Sequence, residues 1–216
     1  MKIVSLITAR GGSKGIPLKN LVDVNGKPLI YYSINASLQS SVDETWVTTD
    51  SKEIADVSKK YEAKVLMRPD QLANDIIMPD DSLIHFADNE DFDILVFIQP
   101  TSPMVKKEYI DGAINMLLTD GYDSIFTAHK HHWLPEWLCV ANTCTSVGWD
   151  VNARPRRQDI GQNIYIENGM FYITTRESLL ETKLRYGGRI GMFEIPLLDS
   201  FQVDTQEDLD LIRKLI

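Results

Sequence analysis

Ile3-Val4-Ser5-Leu6-Ile7-Thr8-Ala9-Arg10-Gly11-Gly12-Ser13-Lys14-Gly15 is the stretch that decides the fold. Six largely apolar residues, 3–8, form a short β-branched run without helical period, which reads as a buried strand. A glycine-rich turn carrying two cations follows directly. Residues 28–40 then repeat apolar side chains at helical spacing, so the opening reads strand, glycine-rich loop, helix.

The same alternation continues along the chain. Residues 46–49 read as a strand and Asp50 as the cap of the next helix, with Glu53 three residues on as reciprocal partner. A strand at 63–67 is broken by Arg68-Pro69. A short helix at 80–87 leads to the apolar run 94–98, bounded by Asp93 and Pro100, as a central parallel strand requires. A helix at 107–118, a strand at 124–128, strands at 164–173 and 189–195, and a terminal helix at 206–215 complete the pattern. Residues 129–161 lose the rhythm, gathering Trp, His and Arg, and read as an insertion or arm. Alternating β and α elements predict a three-layer α/β domain with a mainly parallel sheet, one domain over 1–216 with an arm at 129–162. In such sheets ligands sit beyond the carboxyl ends of the strands, which gathers residues 10–19, Asp50, Arg68 and 99–102 into one crevice.

Composition bounds the function. A chain of 216 residues with a formal net charge of −9 does not hold nucleic acid or an anionic membrane through its general field. An anion must be bound by local cations, and Arg10, Lys14 and Lys19 cluster after the first strand. Glycines there let backbone N–H groups approach phosphate oxygens, Arg10 can fork two of them, and the lysines act as point charges. The loop is neither G-x-x-x-x-G-K-[ST] nor G-x-G-x-x-G, so composition alone leaves a solvated surface turn equally open. Two cysteines, Cys139 and Cys144, form no disulfide framework in a chain this long and read as buried thiols in a reducing, cytoplasmic setting. No segment is apolar enough to span a bilayer. The spacing of His129, His131 and His132 fits no zinc pattern. Asp204 has an open alternative as the cap of the terminal helix.

Beyond these readings, Thr8-Ala-Arg-Gly-Gly-Ser-Lys-Gly-Ile-Pro-Leu-Lys-Asn20 and Gln99-Pro-Thr-Ser-Pro103 resemble the signature of the acylneuraminate cytidylyltransferase family. Gly26-Lys-Pro-Leu-Ile30, Thr48-Thr-Asp50, Arg68-Pro69, Arg157-Gln158, Asn168-Gly169 and Val203-Asp-Thr205 recur in that family's order. The resemblance implies a nucleotidyltransferase (Rossmann-like) domain that moves CMP from CTP to the anomeric hydroxyl of a nine-carbon, sialic-acid-like sugar acid. The implied assistant is Mg²⁺ and the implied assembly a homodimer joined by the arm. It implies that Arg10 and the backbone of Gly11, Gly12 and Ser13, with Lys14, hold the CTP phosphates. Lys19 would neutralise the α-phosphate and the leaving pyrophosphate, Asn20 place the ribose or phosphate, and Arg68 lie against the cytidine. Gln99, Arg157, Asn168 and Tyr172 would meet the sugar acid, and Asp204 would ligate Mg²⁺. Departures are visible too. Gln202 stands where the family often has a first aspartate, Ser82 is the candidate for a serine expected near the cytosine, and Glu167 stands where a basic residue can occur. The resemblance leaves two rivals: a transferase acting on another acceptor such as Kdo, and a binding protein that has lost catalysis.

Overall fold

A computed structural model describes residues 1–13, 15–72, 78–131, 135–156, 158 and 164–216. In chain order the elements are β1 (Ile3–Thr8), β2 (Asp23–Val24), β3 (Lys27–Pro28), α1 (Leu29–Gln39), β4 (Glu44–Thr49), α2 (Lys52–Lys60), β5 (Lys64–Met67) and α3 (Pro79–Asn89). They continue as β6 (Ile94–Ile98), α4 (Lys107–Asp120), β7 (Ser124–Lys130), β8 (Glu136–Val140), β9 (Thr143–Val147), β10 (Tyr165–Thr175), α5 (Arg176–Thr182), β11 (Ile190–Glu194) and α6 (Gln206–Leu215).

Seven strands form one sheet in the order β11-β7-β10-β6-β1-β4-β5. Every neighbouring pair is parallel except those of β10, which runs antiparallel to both β6 and β7. The mainly parallel three-layer reading therefore holds, with one strand reversed. β1 and β6 lie side by side at the centre and are buried on both faces, which is why they read as continuous apolar runs. One face packs against α1 and α4 through Ile30, Ile34, Ile110 and Ile114. The other packs through Leu83, Phe86 and Leu179 against α3 and α5. A smaller cluster of Ile16, Val24, Leu29, Val203, Leu209 and Ile212 seats α6 against the loop that follows β1.

The chain leaves β1 toward β4 on one side and enters β6 on the other, so the sheet order reverses between β1 and β6. Their carboxyl ends diverge there and open a crevice.

Two helix starts differ from expectation. Ser51, not Asp50, caps α2, its hydroxyl accepting from the Ile54 N–H at 3.4 Å. The Asp50 carboxylate turns away from the helix and accepts the Gly11 N–H at 3.0 Å. A contact across 39 residues displaces the local one. α6 is capped by Thr205, whose hydroxyl accepts from Asp208 N while Asp208 accepts from Thr205 N, so Asp204 is not the cap.

In the expected arm, residues 129 and 130 still belong to β7. β8 and β9 form a separate two-stranded ribbon turned by Ala141-Asn142, both in the left-handed region. Cys139 and Cys144 face each other across it as a disulfide, and both are exposed, which corrects the reading of buried thiols. That reading failed because, among the described residues, the ribbon pairs only within itself as a separate two-stranded sheet and leaves both cysteines exposed. The compositional argument for a reducing compartment falls with it. No described helix is long and apolar enough to cross a membrane.

Candidate active site

A cleft of about 520 Å³ occupies the divergence of β1 and β6. Arg10, Ser13, Gly15, Lys19 and Asn20 line one side, from the loop after β1. Gln99, Pro100 and Thr101 line the other, from the turn after β6. Arg68 lines it from just after β5 and Ser82 from α3, and Asp204 from the approach to α6.

Two devices shape the loop after β1. The Asn20 side-chain amide donates to the Arg10 carbonyl at 3.1 Å, folding the loop back on itself, and Asn20 is buried. Gly15 passes so close to the 203–205 segment that a Cβ would lie 2.6 Å from the Asp204 carbonyl oxygen, which only glycine permits. At Gly12 nothing lies within 4 Å of such a Cβ, so the backbone there stands open to a ligand.

Cations and one carboxylate face each other across this loop. Lys19 Nζ donates to Asp204 Oδ1 at 2.8 Å; the Asp204 side chain is 65% exposed and Lys19 only 17%. A largely exposed carboxylate held by one oxygen has the other oxygen available to a cation. Among the described residues no cluster of three or more His, Cys, Asp or Glu side chains could enclose a metal. Mg²⁺ is characteristically held by one or two carboxylates together with substrate phosphates. Asp204, on the cleft beside Lys19 and the glycine-rich loop, fits that donor set, with one protein carboxylate rather than two.

Deeper in, a polar chain runs from the loop to α3. Gly11 N–H donates to Asp50 Oδ1, Arg68 Nη2 lies 3.8 Å from the same oxygen, and Arg68 Nη1 donates to Ser82 Oγ at 2.9 Å. Arg68 is buried, and its Nε is a buried donor with no partner. Burial lowers the Arg68 pKa, helped by the nearby Arg10 charge and opposed by Asp50. The result is a fixed donor in the cleft wall with unmet hydrogen-bonding capacity. Ser82, the candidate for the serine expected near the cytosine, lies beside Arg68 in the cleft wall. It sits on the buried face of a helix that starts at Pro79.

The remaining expected residues are placed differently. Gly11 and Gly12 belong to the loop but contribute backbone. Asn168 is buried and spends its side chain on the fold: Oδ1 accepts from Thr127 Oγ1 at 2.6 Å and from Met170 N at 3.1 Å, while Nδ2 donates to Ser200 Oγ at 2.9 Å. Tyr172 lies behind the cleft, stacked on the lining residue Phe97 with ring centroids 5.6 Å apart. Its hydroxyl donates to Glu167 Oε1 at 2.5 Å, as the Tyr186 hydroxyl does at 2.7 Å. Burial, then Glu167, pushes the Tyr172 hydroxyl up to about 12. Lys14 and Arg157, expected at the phosphates and the sugar acid, lie outside the described residues, as do His132 and Trp133 of the arm.

Sequence reasoning missed a buried pair beneath the cleft. Asp80 accepts from Arg185 three times: from the backbone N at 2.7 Å, Nε at 3.1 Å and Nη2 at 2.5 Å. The guanidinium also lies over the rings of Phe97 and Tyr172. No local signal joins residues 105 apart.

The family model described as Cytidylyltransferase matches residues 4–215. The chain belongs to the cytidylyltransferase family. It is 36% identical to the CMP-N,N'-diacetyllegionaminic acid synthase of Legionella pneumophila, covering 100% of this chain and 97% of that one. It is 37% identical to N-acylneuraminate cytidylyltransferase B of Danio rerio over 95% of its own length; that relative is longer, and the chain spans about half of it, 49%. A CMP:2-keto-3-deoxy-manno-octonic acid synthetase solved with CTP shares the fold, with a TM-score of 0.73 and 22% identity over 100% of this chain and 98% of that one.

Proposed function

We propose that this cytidylyltransferase transfers CMP from CTP to the anomeric hydroxyl of a nonulosonic, sialic-acid-like sugar acid and releases pyrophosphate. The observation that carries the reading is the polarity of the cleft. Arg10, Lys19 and Asp204 stand at the open phosphate loop, and Gln99 and Thr101 face them from β6, so triphosphate and acceptor fit in one cavity at the β1/β6 divergence. Named relatives act on legionaminic and pseudaminic acids and on N-acylneuraminate, which supports this acceptor class.

In the proposed reaction the acceptor's C2 hydroxyl oxygen attacks the α-phosphorus in line. The bond from the α-phosphorus to its β-bridging oxygen breaks, pyrophosphate leaves with the electron pair, and the hydroxyl proton passes to water. No covalent enzyme intermediate is required. Arg10 and Lys19 hold and neutralise the phosphates, and the Arg68–Ser82 wall receives the base. Asp204 would hold Mg²⁺, which when bound supplies further neutralisation of phosphate charge. Catalysis then rests on positioning and fixed charge. We further propose a homodimer joined through the β8–β9 ribbon, supported by the exposed Trp137, Leu138 and Val140 on it, and a cytoplasmic setting, where CTP is available.

The test is pyrophosphate release from CTP and Mg²⁺ with N-acetylneuraminate, di-N-acetyllegionaminate, pseudaminate and Kdo offered separately. Release with one nine-carbon acid is expected. Release with Kdo alone would move the acceptor class, and silence with all four despite CTP binding would refute the transferase reading.

A further inference from the structure

The residue at position 202 carries a task that its place next to the metal-binding end of the cleft conceals. The segment leading into α6 is extended, and its Val203 is buried with its N–H on the Thr101 carbonyl at 2.8 Å. Gln202 and Asp204 flank Val203, with Asp204 at the start of a bend. Asp204 turns to Lys19, but Gln202 turns the other way. Its Nε2 donates to the Asn168 carbonyl at 2.6 Å and to Ser102 Oγ at 3.1 Å. The Asn168 carbonyl only accepts, which fixes which end of the Gln202 amide is nitrogen.

The other half of the device is Gly169. It sits at φ +66 inside β10, where pairing with β7 shifts register between Glu167 and Tyr172. A Cβ at this position would stand 2.7 Å from Gln202 Nε2 and 3.3 Å from Gln99 Oε1. The two glutamine side chains therefore share the space that the missing side chain leaves. Gln99 lines the cleft, and the amide end of its side chain sits against Gly169, where a bulkier residue would push it.

We infer that Gln202 and Gly169 are positioning residues for the acceptor end of the cleft: Gln202 braces the bulge at Asn168–Gly169, and Gly169, lacking a side chain, leaves the room in which the Gln99 amide meets the oxygen-rich, carboxylate-bearing acceptor. The inference rests on the transferase reading for the identity of the ligand. It assigns position 202 to the acceptor end and leaves the metal end to Asp204. An aspartate or glutamate at 202 has no hydrogen to give the Asn168 carbonyl and could not hold the bulge in this way.

The experiment compares wild type with Gln202→Met, which keeps the side-chain length and removes the donor. Acceptor KM is expected to rise about tenfold while CTP KM and the Mg²⁺ half-saturation stay within twofold. An unchanged acceptor KM overturns the inference, and so does a CTP KM or Mg²⁺ requirement that rises in step with it. Gly169→Ala should show the same split if it folds. Should wild type be silent with every acid, the transferase reading has failed, and the positioning is read directly from the side-chain amide resonances of Gln99, assigned through Gln99→Glu. Wild type should show a distinct N–H₂ pair that moves to solvent-exposed glutamine positions in Gln202→Met; a pair that does not move overturns the inference.

Discussion

Replacing Lys19 by alanine separates its contribution to the fold from the phosphate role proposed for it. In the free protein the ammonium pairs with Asp204, whose side chain is 65% exposed, so the pair is worth about 0.2–1 kcal/mol to stability. For a chain of this size 1 kcal/mol moves the melting temperature by about 2–4 °C, so Lys19→Ala should melt within about 4 °C of wild type. Catalysis should suffer far more. A unit charge about 4 Å from another interacts by about 4 kcal/mol at an effective dielectric near 20. If half a unit of charge moves onto the β-bridging oxygen as the bond breaks, Lys19 stabilises the transition state over the ground state by about 2 kcal/mol, roughly thirtyfold in rate. Loss of one preorganised electrostatic donor elsewhere costs on the order of 10²-fold, which brackets the expectation from above. The assay is kcat from continuous pyrophosphate release at saturating CTP, with the CTP Kd measured by calorimetry without acceptor. Lys19→Arg, which keeps the charge, should recover part of the rate. Turnover of Lys19→Ala within about threefold of wild type would refute the assignment, as would a loss confined to CTP affinity.

Three further outcomes follow from contacts outside the phosphate loop. Arg185→Met leaves Asp80 buried with a single backbone donor, and breaking such a pair costs about 3–5 kcal/mol, so calorimetry should show a melting temperature lower by about 6 °C or more; adding Asp80→Asn should recover much of it. Glu44 is held down to about 2, chiefly by Lys64, with Trp46 and Lys2 adding to the effect. Its pKa is depressed on folding, so its stabilisation is present above the ordinary carboxylate range and is lost as pH falls from about 4.5 to 2. Urea midpoints of Glu44→Gln should therefore lie below wild type at pH 6 and converge with it near pH 2. Reducing Cys139–Cys144 should leave the main melting transition in place, because the ribbon lies outside the seven-stranded sheet, while chymotrypsin gains access at Trp137 and Leu138.

The sequence made legible what is local. β1 and β6, apolar on both faces, announce a parallel sheet, and the glycine-rich loop between β1 and α1 announces where a phosphate would rest. What stayed hidden was set by partners distant in the chain. Asp50 has the sequence of a cap and the position of one, yet the carboxylate is drawn to Gly11 N, and Ser51 caps in its place. Asn168 and Tyr172 follow the family pattern, but the structure shows their polar atoms bonded to Thr127, Ser200 and Glu167. In the free protein these two residues shape the wall that Gln99 and Phe97 present. Any contact with the acceptor would have to be made alongside those bonds or in exchange for them.

The two walls of the cleft are held by different kinds of contact. The loop after β1 is fastened at its backbone, by the Asn20 side-chain amide on the Arg10 carbonyl, Asp50 on the Gly11 N–H and the close pass of Gly15 against the Asp204 carbonyl, so its main chain is held in one shape. The far wall depends on side-chain amides and hydroxyls, Gln202, Asn168, Ser102 and Ser200, each spending its hydrogen bonds on another. A triphosphate is the same in every member of such a family and is suited to a fixed backbone cradle, whereas the acceptor differs and is suited to a wall that can change residue by residue. Substitutions that alter acceptor choice should therefore fall between β10 and the approach to α6, and those in the loop after β1 should lower turnover with every acceptor alike.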